Sequence, residues 1–93
     1  MLLRWVDDAE PAAVEAVLDG LRGLPAAISE ICSYVVGTDV GLADGNYDVA
    51  VVADFDSSDG YLVYRDHPVH RALIEERIAP ILAGRAAVQH DVP

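Results

Sequence analysis

The 93-residue sequence contains no lysine and only one cysteine, Cys32. A single cysteine excludes a disulfide within the chain and also a cysteine-based zinc site built by one chain. With 16 acidic residues and six arginines, the formal net charge is −10. Because an acidic surface repels phosphate backbones and anionic lipids, we expect neither a nucleic-acid partner nor a membrane partner.

Long apolar runs are also missing. No stretch approaches the roughly 18–20 apolar residues of a membrane span. No basic segment followed by an apolar run opens the sequence, as a signal peptide would. There is no glycine-rich phosphate loop and no convincing Ser-His-Asp order. The sequence therefore predicts a cytoplasmic protein and gives no sign of a bound cofactor.

Apolar residues are nevertheless abundant. They make up 53% of the sequence, and the mean hydropathy is +0.25. The length allows one domain, residues 1–93, with no room for a second core. Since a domain of this size buries a modest share of its surface, we expect part of the apolar surface to be covered by another subunit.

Apolar runs and turn residues divide the chain into strand, helix, strand, strand, helix and strand. Strands are predicted at residues 1–6, 31–38, 47–55 and 85–92, with a loop at 39–46. The first helix begins at Pro11 and should end at Gly23, because Leu24-Pro25 follows. A second helix, capped by Asp56 or Ser57, runs to about residue 66. A third runs from Pro68 to about residue 82, bent at Pro80 and ended by Gly84.

This βαββαβ order predicts an α+β, ferredoxin-like fold, an antiparallel sheet with helices on one face only. Residues 49–53, the centre of the third strand, are apolar on both faces. A strand of this kind is covered on both sides, and the two helices cover one. We therefore predict a homodimer in which two open sheet faces meet and form an α+β barrel.

Residues 55–70 read F-D-S-S-D-G-Y-L-V-Y-R-D-H-P-V-H, which includes Tyr64, His67, Pro68 and His70. The segment resembles the stress-responsive A/B-barrel family, in which a short helix ends in Tyr, two residues, His-Pro, one residue and His. Residues 2–8, 21–25, 34–39, 48–55 and 89–92 resemble other family segments in the same order. The resemblance covers essentially the whole chain and implies a dimeric ferredoxin-like barrel. Family members usually carry a histidine in the first strand before the point where Met1 falls, so no role of that histidine is carried over.

The family includes a plant polyketide cyclase that closes an aromatic ring by aldol condensation. The resemblance implies that His70 acts as a base and Tyr64 as its orienting or acid partner, without metal or cofactor. The helical spacing of His70, Ile74 and Ile78 places His70 on an apolar face, where burial would lower its pKa. Around this pair we expect a pocket lined by Trp5, Val51, Phe55, Tyr61, His67 and Ile74.

Structural roles compete with these catalytic ones. A single histidine on an apolar stripe is more often a core residue with satisfied nitrogens, and a tyrosine near a dimer seam is ordinary packing. His67 precedes a proline and favours a structural hydrogen bond, whereas His90 could face the barrel interior or the open edge. Two functions remain open: a dimeric protein that binds a small apolar ligand or serves in a stress response, and a cofactor-free polyketide cyclase.

Other candidate sites are weaker. Asp39, Asp44 and Asp48 surround a glycine-bearing loop and could hold a divalent cation, but their spacing does not fit a calcium loop. Turn formation explains them better, and no metal site is predicted. Trp5 could line a pocket as in related haem-degrading barrels, yet no convincing set of haem ligands accompanies it. Cys32 is expected to be a small buried residue.

Overall fold

The computed structural model describes residues 1–92. Its strands are β1 (Leu2–Trp5), β2 (Ile31–Thr38), β3 (Val49–Phe55) and β4 (Leu82–Ala86). Its helices are α1 (Pro11–Ala27), α2 (Ser58–Asp66) and α3 (Pro68–Leu73). A π-helical turn, Ile74–Ile78, and a 3-10 turn, Ala79–Ile81, lead from α3 into β4.

The four strands form one antiparallel sheet in the order β2-β3-β1-β4. The helices pack on one face, which we call the helix-facing side of the sheet. There α1 buries Val17, Leu18, Leu21 and Leu24 against Leu3, Val49 and Val51 of the strands. The strand order and the one-sided helices confirm the predicted ferredoxin-like fold.

The other face of the sheet, the open face, carries an apolar centre. Val35 and Val52 lie directly opposite each other on β2 and β3 and are 62% and 58% exposed. Their neighbours Val36 and Val51 form the next pair and point to the helix-facing side, where Val51 is 4% exposed. Strand β3 is therefore apolar on both faces, as predicted. A single chain covers only one of these two faces.

Helix α1 is longer than predicted. We expected an end at Gly23, but the helix includes Pro25 and continues to Ala27. Proline in the last turn removes one backbone donor, while Leu24 and Ile28 are each 1% exposed. The burial of these two side chains, at helical spacing from Leu21, outweighs the missing hydrogen bond.

The last strand begins and ends earlier than predicted. We expected Gly84 to end a helix and residues 85–92 to form the strand, but β4 covers Leu82–Ala86. Ala86 lies opposite Leu2, where β1 begins. Beyond Ala86, residues 87–92 take no regular structure.

The loop between β2 and β3 follows the prediction from its glycines. Gly41 and Gly45 have φ angles of +78° and +81°, a region that glycine enters at little cost. Asp39 accepts hydrogen bonds from the Gly41 amide and the Asn46 side chain. The Asp48 carboxylate accepts one from the Trp5 amide, which ties the loop to β1.

Candidate functional site

The break between α2 and α3 brings Tyr64 and His70 together. The Ser57 hydroxyl caps α2 by accepting from the Gly60 amide. His67 then takes an extended conformation (φ −61°, ψ 135°), as expected before a proline, and its Nδ1 accepts from the Val69 amide to cap α3. Across this turn the rings of Tyr64 and His70 are 4.3 Å apart between centroids and inclined by 32°. The two side chains are therefore packed ring against ring.

Aromatic side chains surround this pair. The Tyr64 ring lies 5.1 Å from Phe55, 6.0 Å from Tyr34 and 6.2 Å from Tyr61, distances typical of favourable aromatic packing. The hydroxyl oxygens of Tyr34 and Tyr64 are 2.8 Å apart and hydrogen bonded. We call Tyr34, Phe55, Tyr61, Tyr64 and His70 the aromatic cluster. It joins β2 and β3 to α2 and α3 on the helix-facing side of the sheet.

The hydrogen bond of His70 defines its tautomer. Its Nδ1 lies 3.0 Å from the carbonyl oxygen of Arg65, and because a carbonyl can only accept, Nδ1 carries the proton. In the neutral ring Nε2 then has a free lone pair. Within residues 1–92, Nε2 forms no hydrogen bond. Every fully buried side-chain nitrogen or oxygen in this part of the chain has a hydrogen-bond partner, so Nε2 is not fully buried. The Nε2 atom therefore keeps some contact with solvent, although His70 as a whole is 7% exposed.

Burial sets the charge state of the site. Desolvation lowers the pKa of His70, opposed in part by the hydrogen bond to the Arg65 carbonyl. Desolvation also raises the pKa of Tyr64 and of Tyr34. The imidazole and both phenols are therefore neutral at neutral pH, with one nitrogen able to accept a proton and hydroxyls able to donate hydrogen bonds.

The other predicted pocket residues are distributed as follows. Phe55 and Tyr61 belong to the aromatic cluster, and Val51 and Ile74 belong to the same apolar core. His67 is occupied as the cap of α3. Trp5 is 9% exposed and is the last residue of β1. There it borders a groove of about 400 Å³ with Asp7, Asn46 and Asp48.

A second groove, of about 510 Å³, lies at the loop end of β2 and β3, with Leu2, Gly37, Val40 and Ala50 among its lining residues. Neither Tyr64 nor His70 lines either groove. The His-Tyr pair is thus packed within the fold, and its opening to solvent is small.

Tyr34 is the residue that sequence reasoning missed. The sequence indicates only a strand at Tyr34, although side chains alternate along β2 and place Tyr34 and Val36 on one face. That alternation, together with the apolar Val51 on the neighbouring strand, predicts that the Tyr34 side chain points to the helix-facing side.

The remaining candidates take structural or surface positions. Among residues 1–92, no group of three or more His, Cys, Asp or Glu side chains is arranged to hold a metal ion. Cys32 was expected to be buried, but it is exposed at an irregular point of β2. His90 is exposed beyond β4, and its Nδ1 contacts the Asp91 carbonyl. In the described part of the chain, none of the helices is both long and apolar enough to cross a bilayer.

A family model described as the Stress responsive A/B Barrel Domain matches residues 1–92. The chain belongs to this family. No curated protein matches it in sequence. The family assignment confirms the resemblance carried by Tyr64, His67, Pro68 and His70.

Solved structures with the same fold include three informative ones. A dimeric ferredoxin-like protein of unknown function from Thermobifida fusca is 54% identical, with a TM-score of 0.88 over 98% of this chain and 85% of its own. A dimeric protein of unknown function from Bacteroides fragilis is 25% identical, with a TM-score of 0.85 over 98% and 90%. A protein of the same family from Mesorhizobium loti is 18% identical, with a TM-score of 0.71 over 89% and 82%, and shows likeness of fold alone.

Proposed function

We propose that this A/B-barrel protein is a homodimer in which each subunit binds a small, largely apolar molecule at the aromatic cluster. The observation that carries the proposal is the stacked Tyr64–His70 pair. It combines an apolar aromatic surrounding with one hydrogen-bond acceptor, the Nε2 atom of His70, that has no partner in the described chain. A few polar groups among aromatic side chains are the usual composition of a small-molecule site.

Dimer formation is supported by the open face of the sheet. Val35 and Val52 at its centre are each more than half exposed, and exposed apolar patches on a small chain favour association. The relatives from Thermobifida fusca and Bacteroides fragilis are described as dimeric. A role in a stress response, which the family description names, and a cytoplasmic location stay predictions for this chain.

Cofactor-free aldol cyclisation is the second candidate function, favoured by the tautomer of His70. Nε2 would remove a proton from a carbon next to a ligand carbonyl, so that a C–H bond breaks and an N–H bond forms. The electron pair moves to the carbonyl oxygen as an enolate, to which the Tyr64 hydroxyl would donate a hydrogen bond. Attack of the enolate carbon on a second carbonyl of the same molecule forms the ring, and the imidazolium returns its proton to the resulting alkoxide.

The binding proposal is tested by NMR titration of the full chain with 4-phenylbutan-2-one, a neutral ligand with an aromatic body and one carbonyl. We expect the ring signals of Tyr64 and His70 to shift, and Tyr64→Phe to weaken binding about fivefold through the loss of one hydrogen bond. Tyr47→Phe is the control, because this tyrosine lies outside the aromatic cluster. Unshifted ring signals, or shifts confined to the open face around Val52, would contradict the proposal.

The catalytic proposal needs a separate assay with a linear poly-β-ketone thioester. His70→Ala should abolish ring formation while the variant remains folded and dimeric, and His90→Ala should keep full activity. Ring formation that persists in His70→Ala would remove His70 as the base. If the native protein forms no ring but binds 4-phenylbutan-2-one, only the ligand-binding function remains.

A further inference from the structure

The free nitrogen of His70 is an acceptor and cannot donate. The proton of the neutral ring is on Nδ1, which lies 3.0 Å from the carbonyl oxygen of Arg65. The other nitrogen, Nε2, then has a lone pair and no hydrogen. The residue is 7% exposed, and within residues 1–92 Nε2 has no hydrogen-bond partner. A partner for this atom therefore comes from a water molecule or a ligand, and it has to bring the hydrogen.

The surroundings of His70 keep the ring in this neutral form. Burial is the main cause that lowers its pKa. A neighbouring carboxylate would favour the protonated ring, but among the described residues none of the groups that shift the pKa of His70 is a carboxylate. A ligand ammonium group would therefore find no counter-charge at this position. A neutral donor suits Nε2 better.

The hydroxyl of Tyr64 places no such requirement on a ligand. It lies 2.8 Å from the hydroxyl of Tyr34, and either oxygen can be the donor of this hydrogen bond. A phenol has one hydrogen and two lone pairs, so Tyr64 can donate to a ligand or accept from it by rotation of its hydroxyl. The tautomer of His70 is instead held by a main-chain carbonyl. Of the two polar groups in the stacked pair, His70 therefore determines what the ligand has to present.

We propose that the ligand of the aromatic cluster is an apolar hydroxyl compound, an alcohol or a phenol, whose O–H group donates to Nε2 of His70. This inference rests on the proposed ligand-binding function and adds the ligand's functional group to it. The apolar body lies against the rings of the cluster, and the Tyr64 hydroxyl can donate to the same ligand oxygen. A ligand without a donor would displace water from Nε2 and leave a largely buried acceptor unpaired, which weakens binding. A site of this kind discriminates against the analogue that lacks the hydroxyl.

The test compares 4-phenylbutan-2-ol with 4-phenylbutan-2-one, which differ only in the hydroxyl or carbonyl oxygen at one carbon. Both are titrated into the full chain at about pH 8, where histidine is neutral, and the ring signals of Tyr64 and His70 report binding. We expect the alcohol to bind about tenfold more tightly than the ketone. His70→Phe keeps an aromatic ring but removes the acceptor, and should bind the two compounds equally. His90→Phe is the control and should keep the preference.

The imidazole ¹⁵N signals of the native protein test the same bond without a substitution. The alcohol should move the Nε2 signal of His70 towards that of a hydrogen-bonded nitrogen, and the ketone should not. His90 is the matched control, because its Nδ1 also contacts a backbone carbonyl while its ring is exposed, so its Nε2 signal should stay in place. His67 is the reference for the opposite tautomer, since its Nδ1 accepts from the Val69 amide.

The outcomes separate the two levels of the proposal. If neither compound shifts the ring signals of Tyr64 and His70, the proposed binding function is wrong. If both bind there with equal affinity, or if the Nε2 signal of His70 is unchanged when the alcohol saturates the site, the hydroxyl inference alone is overturned. A free protein in which His70 carries its proton on Nε2 would contradict the inference at its first step.

Discussion

The hydroxyl oxygens of Tyr34 and Tyr64 lie 2.8 Å apart and join β2 to α2 across the helix-facing side of the sheet. Burial raises the pKa of both phenols, and either hydroxyl can be the donor; in one of the two arrangements Tyr34 donates and Tyr64 accepts. The hydrogen of Tyr64 then remains available for a ligand. A phenol that accepts one hydrogen bond donates a second more strongly. Tyr34 is in this way a positioning residue for Tyr64.

Tyr34→Phe should therefore destabilise the protein by about 1 kcal/mol, because the buried Tyr64 hydroxyl loses its partner. Urea unfolding followed by circular dichroism measures the change in the free energy of unfolding. Tyr47→Phe is the matched control, since the Tyr47 hydroxyl has no hydrogen bond within residues 1–92 and its ring instead carries Arg4 at 4.3 Å. Equal stability of the two variants would show that the Tyr34–Tyr64 bond contributes nothing.

The pH dependence of stability should carry the signature of His70. Burial lowers its pKa in the folded state from the ordinary 6.5. As the pH falls below about 6.5, the unfolded chain binds a proton that the folded chain does not. The free energy of unfolding is then highest above this pH and declines as the pH falls towards the folded-state pKa.

This decline can be measured by urea unfolding between about pH 7 and 5. His70→Gln should flatten the curve in this range, whereas His90→Gln, at an exposed position beyond β4, should keep the native slope. If His70→Gln retained the full decline, the slope would belong to other groups and the burial of a neutral His70 would have no thermodynamic effect.

Most of the fold could be predicted because local sequence and tertiary packing agree. Strand β2 was predicted with its observed bounds, Ile31–Thr38, since aromatic and β-branched residues end at a glycine-bearing loop. The predictions failed where packing overrides a local signal. Pro25 lies within α1, where Leu24 and Ile28 are buried, and β4 ends at Ala86, which pairs with Leu2 of β1. Neither packing partner is visible in local sequence.

The site could be predicted in part. Spacing along the chain identified Tyr64 and His70, and the structure stacks them. The carbonyl of Arg65, which defines the tautomer of His70, and the hydroxyl of Tyr34 both depend on how α2 lies against the sheet. Such contacts between distant segments depend on tertiary packing, which one sequence does not specify residue by residue. Trp5 is the opposite case. Its apolar character led to the prediction that it lines the pocket, but its position on β1 places it beside a different groove.

The open face predicts the behaviour of surface variants. Val52→Asp places a charge at the centre of the proposed dimer interface, where burial of an unpaired charge is strongly unfavourable. Light scattering should give the native protein about twice the chain mass of 9.9 kDa and Val52→Asp a single chain mass at micromolar concentration. Val69→Asp, at an exposed position on α3, should remain dimeric. A Val52→Asp protein as dimeric as the native one would place the interface elsewhere.

Two glycines of α1 provide a matched test of how this helix packs on α3. A Cβ atom added at Gly20 would collide with the side chain of Leu73, whereas one added at Gly23 would meet nothing within 4 Å. Because alanine favours a helix interior over glycine, Gly23→Ala should stabilise the protein by about 0.5–1 kcal/mol. Leu73 is 6% exposed, and its Cδ1 atom would have to move to make room for the new Cβ.

Gly20→Ala should therefore be less stable than Gly23→Ala by about 1–3 kcal/mol, the usual cost of an added methyl group in a packed core. Thermal unfolding of the two single variants and the native chain gives the comparison. The double variant Gly20→Ala/Leu73→Val supplies the control, because a shorter side chain at 73 makes room for the new Cβ and should recover part of the loss. If Gly20→Ala is as stable as Gly23→Ala, α1 and α3 are not in close contact at this point. The position of His70, three residues before Leu73 on α3, would then be less tightly held than the structure indicates.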